Sequence, residues 1–199
     1  MAYEPKNFEY LLGTEGFSDR LLKNHFALYQ GYVANTNKLA EMLSAFLKEG
    51  KAGTLEFAEL KRRFGWEFNG MRLHEYYFGN MTKGGAPLNR DSRFFQKLVE
   101  EFGSYEDWEK EFRAVGAMRG IGWAVLYYDP VARRLFNTWI NEHDTGHLSG
   151  GVPLLVMDVF EHAYMLDYEL KRADYITAFF RALDWTVVVS RFKGASRTE

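Results

Sequence analysis

Any chemistry in this 199-residue chain has to be built from nitrogen and oxygen side chains, because it has five His, 27 Asp+Glu, 12 Tyr and no Cys. A thiolate nucleophile, a Cys-ligated zinc and an iron–sulfur cluster are all excluded. The densest polar group is Asp158-Val159-Phe160-Glu161-His162-Ala163-Tyr164, where a carboxylate follows an apolar run and an imidazole comes four residues later. Burying an unpaired charge at a strand end costs several kcal/mol, so Asp158 needs a proton, a partner or a metal. In isolation the pattern reads as a helix N-cap followed by an ordinary helical His. Two further histidines change that balance. His25 has Tyr29 and Tyr32 one and two turns on, and His74 sits in a run ending Tyr76-Tyr77-Phe78. With Asp158 and His162 they supply a His₃Asp set, which suits iron or manganese and which zinc also accepts. His143 and His147 share i,i+4 spacing but fall in an expected loop, a weak metal pair on spacing alone.

Other chemistries find little support. A formal net charge of −2 argues against a nucleic-acid partner. There is no H-E-x-x-H, no E-x-x-H of the di-iron kind, and no phosphate-binding loop; Gly120-x-Gly122 runs on to Val125 where a dinucleotide fingerprint needs a third glycine. Apolar stretches fall far short of the roughly 20 residues of a membrane span. The opening MAYEPKNFEY lacks a basic segment followed by an apolar one. The expectation is a soluble cytoplasmic protein with no membrane partner.

The elements that must position these residues follow from periodicity. Leu39, Met42, Leu43, Phe46 and Leu47 mark one face of a helix within 18–50, closed by Gly50. Helices are expected at 54–65 and 70–82, and Gly84-Gly85-Ala86-Pro87 reads as a boundary. Beyond it, helices are expected near 91–102 and 104–117, with Asp91 and Ser104 as N-caps. Strands follow at 124–128, 134–140 and 153–157, the first two joined by the turn signal Asp129-Pro130, and 162–192 returns to helix. The fold class is α+β: an all-helical N-terminal hairpin domain over 1–87, then a C-terminal domain over 88–199 with a small antiparallel sheet and helices.

Residues 158–164 resemble the D-x-W-E-H-A-Y signature of the iron/manganese superoxide dismutases, with Phe160 where Trp is usual. Phe68-Asn69-Gly70 through His74-Glu75-Tyr76-Tyr77-Phe78, Gly120-Ile121-Gly122-Trp123-Ala124, and Asp174-Tyr175 with Phe179, Phe180 and Trp185 resemble further family segments in the same order. The resemblance implies a three-stranded sheet in the C-terminal domain. It also implies one Fe or Mn ion per chain, ligated by His25, His74, Asp158, His162 and a solvent molecule, and the disproportionation of superoxide.

It further implies that Tyr32 is the gateway tyrosine that relays protons, and that Trp123 and Phe160 wall the pocket. Glu161 would reach across a homodimer interface to the partner's His162, near Tyr164, with a tetramer as the alternative assembly. The family's solvent-binding Gln has its N-terminal position occupied by Gly70, which cannot donate; its C-terminal position falls on His143, which takes the role. His147 is left as a loop residue. Three departures stand out: a His25–Tyr32 spacing of seven where eight is usual, Leu28 or Tyr29 in place of an interior His, and Phe160. Val156 and His143 together favour iron, or activity with either metal. The alternatives are a family member with altered metal-redox chemistry, peroxidase-like or metal-holding, and one that keeps the fold only as a scaffold. The presence of all four ligand residues argues against the scaffold.

Overall fold

The first long helix starts where the Ser18 side chain accepts the Leu21 N–H at 3.0 Å. In the computed structural model, which describes residues 2–196, this helix α1 spans Asp19–Lys48 without interruption. Its buried stripe runs through Leu21, Leu22, His25, Phe26, Tyr29, Tyr32, Val33, Thr36, Leu39 and Leu43, so both candidate site residues of this helix lie on the packed face. Helix α2, Leu55–Gly79, is capped by Thr54 and packs back against α1 as the second arm of a hairpin.

Helix α2 is one continuous element, not the two expected over 54–65 and 70–82. Gly65 and Gly70 weaken a helix by about 1 kcal/mol each relative to Ala, but there is no proline to break it. Burial of Gly70, Met71, Leu73, His74, Tyr77 and Phe78 along one side carries the helix through both glycines. After the connection come α3, Arg93–Phe102, and α4, Tyr105–Gly116. The cap of α3 is Ser92 and not Asp91, its hydroxyl accepting from Phe95 N at 3.1 Å.

Strands β1 (Gly122–Asp129), β2 (Arg134–Asn141) and β3 (Val152–Asp158) form an antiparallel sheet in the order β2-β1-β3. All three expected strands are present. The central strand β1 is buried from Gly122 to Tyr128, and its register sets Trp123 opposite both Asp158 and Ile140. The last helical third is broken into α5 (Met165–Tyr168), α6 (Arg172–Ala182) and α7 (Trp185–Ala195). Glu169, at φ +50°, ends α5, and Leu183 leaves α6 in an extended conformation.

The segment after α2 is pinned beside that second break. Thr82 N–H donates to Ala182 O at 2.9 Å, Ala86 N–H to Leu183 O at 2.8 Å, and Trp185 N–H to Ala86 O at 3.1 Å. Arg191 of α7 adds a buried tie, donating to Asn80 Oδ1, to Leu154 O at 2.8 Å and to Tyr76 O at 3.3 Å. Among the described residues no helix is long and apolar enough to cross a membrane.

Arg191→Ala removes the donor to Asn80 Oδ1 and to two carbonyls, and is expected to lower unfolding free energy by about 1–3 kcal/mol in a urea titration. An unchanged midpoint and slope would show that this tie is not part of the helix–sheet contact.

Candidate metal centre

Four elements deliver one functional side chain each to the interior. Helix α1 carries His25, α2 carries His74, β3 ends in Asp158, and a single 3-10 turn at Glu161–Ala163 carries His162. His25, His74 and Asp158 are buried, and His162 is partly so. The carboxylate is held from behind: Asp158 Oδ1 accepts from Phe160 N–H at 2.8 Å, and its carbonyl lies 2.5 Å from the Tyr175 hydroxyl. That leaves Oδ2 facing three imidazoles. Nε2 of His25 and of His162 each lie 3.1 Å away, and Nε2 of His74 lies 3.6 Å away. One ligand-capable atom from each residue falls within 4.8 Å of the others.

Whether this group fits a cation is decided by His74. Its Nδ1 sits 2.6 Å from the Gly70 carbonyl, which can only accept, so the proton of the neutral ring is on Nδ1. Nε2 is therefore a bare lone pair, buried, aimed at a carboxylate and without a hydrogen-bond partner. Burial drives the pKa of His74 well below that of a free imidazole, and burial likewise lowers that of His25. Burial alone would raise the Asp158 pKa, but the His162 and His25 rings outweigh it and hold the carboxyl well below the usual carboxylate range. Unprotonated nitrogen facing an ionised oxygen in a dry interior is repulsive unless a cation lies between them. Nitrogen and oxygen donors in this ratio fit iron or manganese.

A second ring of side chains closes over the four. Trp123 packs edge-on against His74 at 4.9 Å, and Phe160 stacks on His143 at 4.8 Å and on His162 at 5.1 Å. His143 is buried, and its ring joins two of the predicted site residues. Trp123 Nε1–H donates to His143 Nδ1 at 3.1 Å, and His143 Nε2 lies 2.9 Å from the Tyr32 hydroxyl. Burial brings the His143 pKa down to about 4, so its ring is neutral at pH 7. The Tyr32 ring stacks on His74 at 5.1 Å, and burial raises its pKa above the ordinary phenol value.

Glu161 is exposed and takes no part in the buried cluster. Tyr164 is buried, and its hydroxyl accepts from Arg172 Nε and Nη2 at 3.1 and 3.0 Å. Tyr29, standing near the missing interior His, bonds away from the site: its hydroxyl donates to Glu75 at 3.1 Å and accepts from Lys6 N–H at 3.0 Å. The seven-residue spacing from His25 to Tyr32 sits within an unbroken α-helix that buries both residues.

Sequence reasoning passed over Trp66 and read only part of what Gly70 and His147 do. Trp66 packs on His143 at 4.5 Å and on Tyr32 at 5.7 Å, with the Arg63 guanidinium over its ring at 3.9 Å and its indole N–H on Glu142 Oε2 at 3.2 Å. Gly70 does more than fail to donate: a Cβ there would lie 2.7 Å from Tyr32 Cδ1, so glycine makes room for the ring while its carbonyl orients His74. His147 is a loop residue, as expected, but both its ring nitrogens are engaged. Glycine one helical turn before a histidine was a readable signal; nothing in the spacing of Trp66 marked it.

A family model for the C-terminal domain of iron/manganese superoxide dismutases matches residues 90–191. An iron superoxide dismutase from Aquifex pyrophilus is 38% identical over 199 residues, covering 98% of this chain and 92% of that protein. The chain belongs to the iron/manganese superoxide dismutase family. A manganese superoxide dismutase from Haloferax volcanii is 34% identical over 98% of both chains, and an iron superoxide dismutase from Cupriavidus metallidurans is 36% identical over 99% of this chain and 100% of its own length. Family membership thus spans the whole chain, including the helical hairpin that lies before the matched C-terminal model.

Gly70→Ala is expected to push the Tyr32 ring off His74 and to cost about 1–3 kcal/mol of stability, the range for overpacking a filled site. Denaturation together with a crystal structure of the variant checks both. Native stability with Tyr32 still stacked would show that the close approach is not a constraint.

Proposed function

We propose that this chain disproportionates superoxide to dioxygen and hydrogen peroxide at one iron or manganese ion, held by His25, His74, Asp158 and His162. The observation that carries the reading is the bare Nε2 of His74 converging with two other imidazoles on Asp158 Oδ2, in a chain whose full-length relatives are named superoxide dismutases. Bound there, the ion supplies a one-electron couple between the +3 and +2 states, so that one superoxide is oxidised and the next is reduced with uptake of two protons.

The chain's own residues hold and deliver protons. An indole can only donate, so His143 Nδ1 accepts from Trp123 and the neutral ring carries its proton on Nε2. Nε2–H then donates to the Tyr32 oxygen, which leaves the phenolic proton free to point into the space beside His74. With its pKa raised by burial, Tyr32 keeps that proton at neutral pH until a basic product arrives. Trp123, Phe160 and Trp66 keep bulk water out. Exclusion of water strengthens each hydrogen bond in the site and limits side reactions.

Relatives named for either metal, the buried Val156 two residues before Asp158, and His143 all support iron, or function with either ion. Each putting forward two ligands, residues 1–87 and 88–199 form the two structural units in this reading. Exposed Glu161, half-exposed His162 and their apolar neighbours Met165 and Leu166 support a homodimer in which Glu161 reaches the partner's metal-bound imidazole.

Reconstitution with iron and with manganese, separately, is expected to give one ion per chain and superoxide turnover with at least one of them. Full metal without turnover would refute the reading. His143→Ala is expected to keep the ion while turnover falls roughly 10–100-fold, as for other groups that orient a metal site from outside its ligands. Normal turnover in that variant with both metals would remove His143 from the mechanism. Sedimentation at high concentration is expected to give a dimer, and a strict monomer would exclude the Glu161 contact.

A further inference from the structure

His147 has no place in the proton path just described, yet neither of its ring nitrogens is idle. Nε2 lies 2.9 Å from the backbone carbonyl of His143, and Nδ1 lies 3.1 Å from the Tyr127 hydroxyl. A carbonyl can only accept, so Nε2 carries the proton and Nδ1 takes one from Tyr127 O–H. A single neutral tautomer satisfies both bonds. Trp123 and Tyr127 are four residues apart on β1 and so project from the same face, and His143 and His147 are four apart in the loop. The two pairs meet in parallel: Trp123 grips the ring of His143, and Tyr127, through His147, grips its backbone.

The loop ends are tied to the sheet by Asn141 N–H on Thr145 O at 2.7 Å, Glu142 N–H on Ile121 O at 3.1 Å and Thr138 Oγ1 on Gly146 O at 3.3 Å, whereas the His143 carbonyl itself is met by His147. Glu142, immediately before His143, adopts φ +48°, a left-handed conformation unusual for a residue with a side chain. Asp144, Thr145 and Gly146 are exposed, and Gly146 passes the sheet at φ +110°, where a Cβ would lie 2.3 Å from Trp139 O. Trp66 holds Glu142 on the near side of His143. On the far side, beyond the bonds at Thr145 and Gly146, His147 adds the hold that acts on the His143 carbonyl directly.

We propose that His147 is a positioning residue: by fixing the His143 backbone to Tyr127 of the central strand, it sets the 2.9 Å approach of His143 Nε2 to the Tyr32 hydroxyl. The proposal rests on the functional reading above for its effect on turnover, and on geometry alone for its effect on the His143–Tyr32 separation.

The test uses the metal-loaded protein and its H147F, H147Q, H143A and H143A/H147F variants. Phe fills the space without either hydrogen bond, whereas Gln offers both a donor and an acceptor. H147F is expected to keep one ion per chain, to lose about tenfold in turnover, and to show the His143–Tyr32 contact opened beyond about 3.5 Å in a crystal structure. H147Q is expected to restore both, and H147F is expected to add nothing on the H143A background, since the two act as one unit. Undiminished turnover in H147F, an equal loss on the H143A background, or an unmoved His143 ring would each overturn the proposal. Should H147F fail to fold, Tyr127→Phe, which removes only the outer hydroxyl, is expected to show the same opening on a smaller scale; an unmoved ring there counts equally against it. A wild-type protein that holds metal but leaves superoxide unconsumed would defeat the functional reading, while the crystallographic separation would still decide the role of His147.

Discussion

An ionised carboxylate at the end of a strand, fully removed from water, is the constraint to which the rest of this molecule answers. Asp158 has no exposed surface, and its Oδ2 faces three imidazole nitrogens, one of which has no proton to offer. Left uncompensated, a buried charge of this kind is among the more expensive features a fold can carry. Two separate parts of the chain bring the imidazoles to it: the helical hairpin and the turn that follows the strand. A cation bound at that convergence turns a repulsive set of lone pairs into a ligand set. Because it binds only the folded arrangement, it adds to the stability of the whole by mass action.

The central strand is the frame on which the surrounding chemistry is laid out. Its register places Trp123 beside Asp158, and the same side chain then fixes the tautomer of His143. Four residues further along, Tyr127 reaches the loop that carries His143. Tyr32 and His143, the proton-handling groups of the proposed reaction, are therefore located by packing from rigid elements: Tyr32 by Gly70 and His74 on α2, His143 by β1. Aromatic rings fill the remaining space, so the site excludes water and leaves His74 Nε2 and His25 Nδ1 buried without a hydrogen-bond partner.

Much of this was legible in the residues. Apolar runs and turn signals located all three strands, and the Asp158-x-x-x-His162 pattern with two histidines among aromatics pointed to an N/O metal set independently of the family resemblance. Helix boundaries fared less well. Two helices were expected over 54–65 and 70–82, yet burial along one side from Glu67 onward outweighs the weak propensity of Gly65 and Gly70, and α2 is continuous. Asp91 lost the cap to Ser92 because capping depends on which oxygen meets the third following N–H, a one-residue distinction. Trp66 and His147 were not legible as parts of the site. Their contacts cross long stretches of chain or depend on the course of a loop through left-handed Glu142, and neither is written in local periodicity.

Where the ion sits decides whether Asp158 and the three imidazoles form a metal centre. The most direct measurement is an anomalous difference map from crystals of the iron- or manganese-loaded protein, collected above and below the absorption edge of the metal. One strong peak per chain is expected, bounded by Nε2 of His25, His74 and His162 and by Oδ2 of Asp158. A peak elsewhere, or none in protein that carries stoichiometric metal, would contradict that placement.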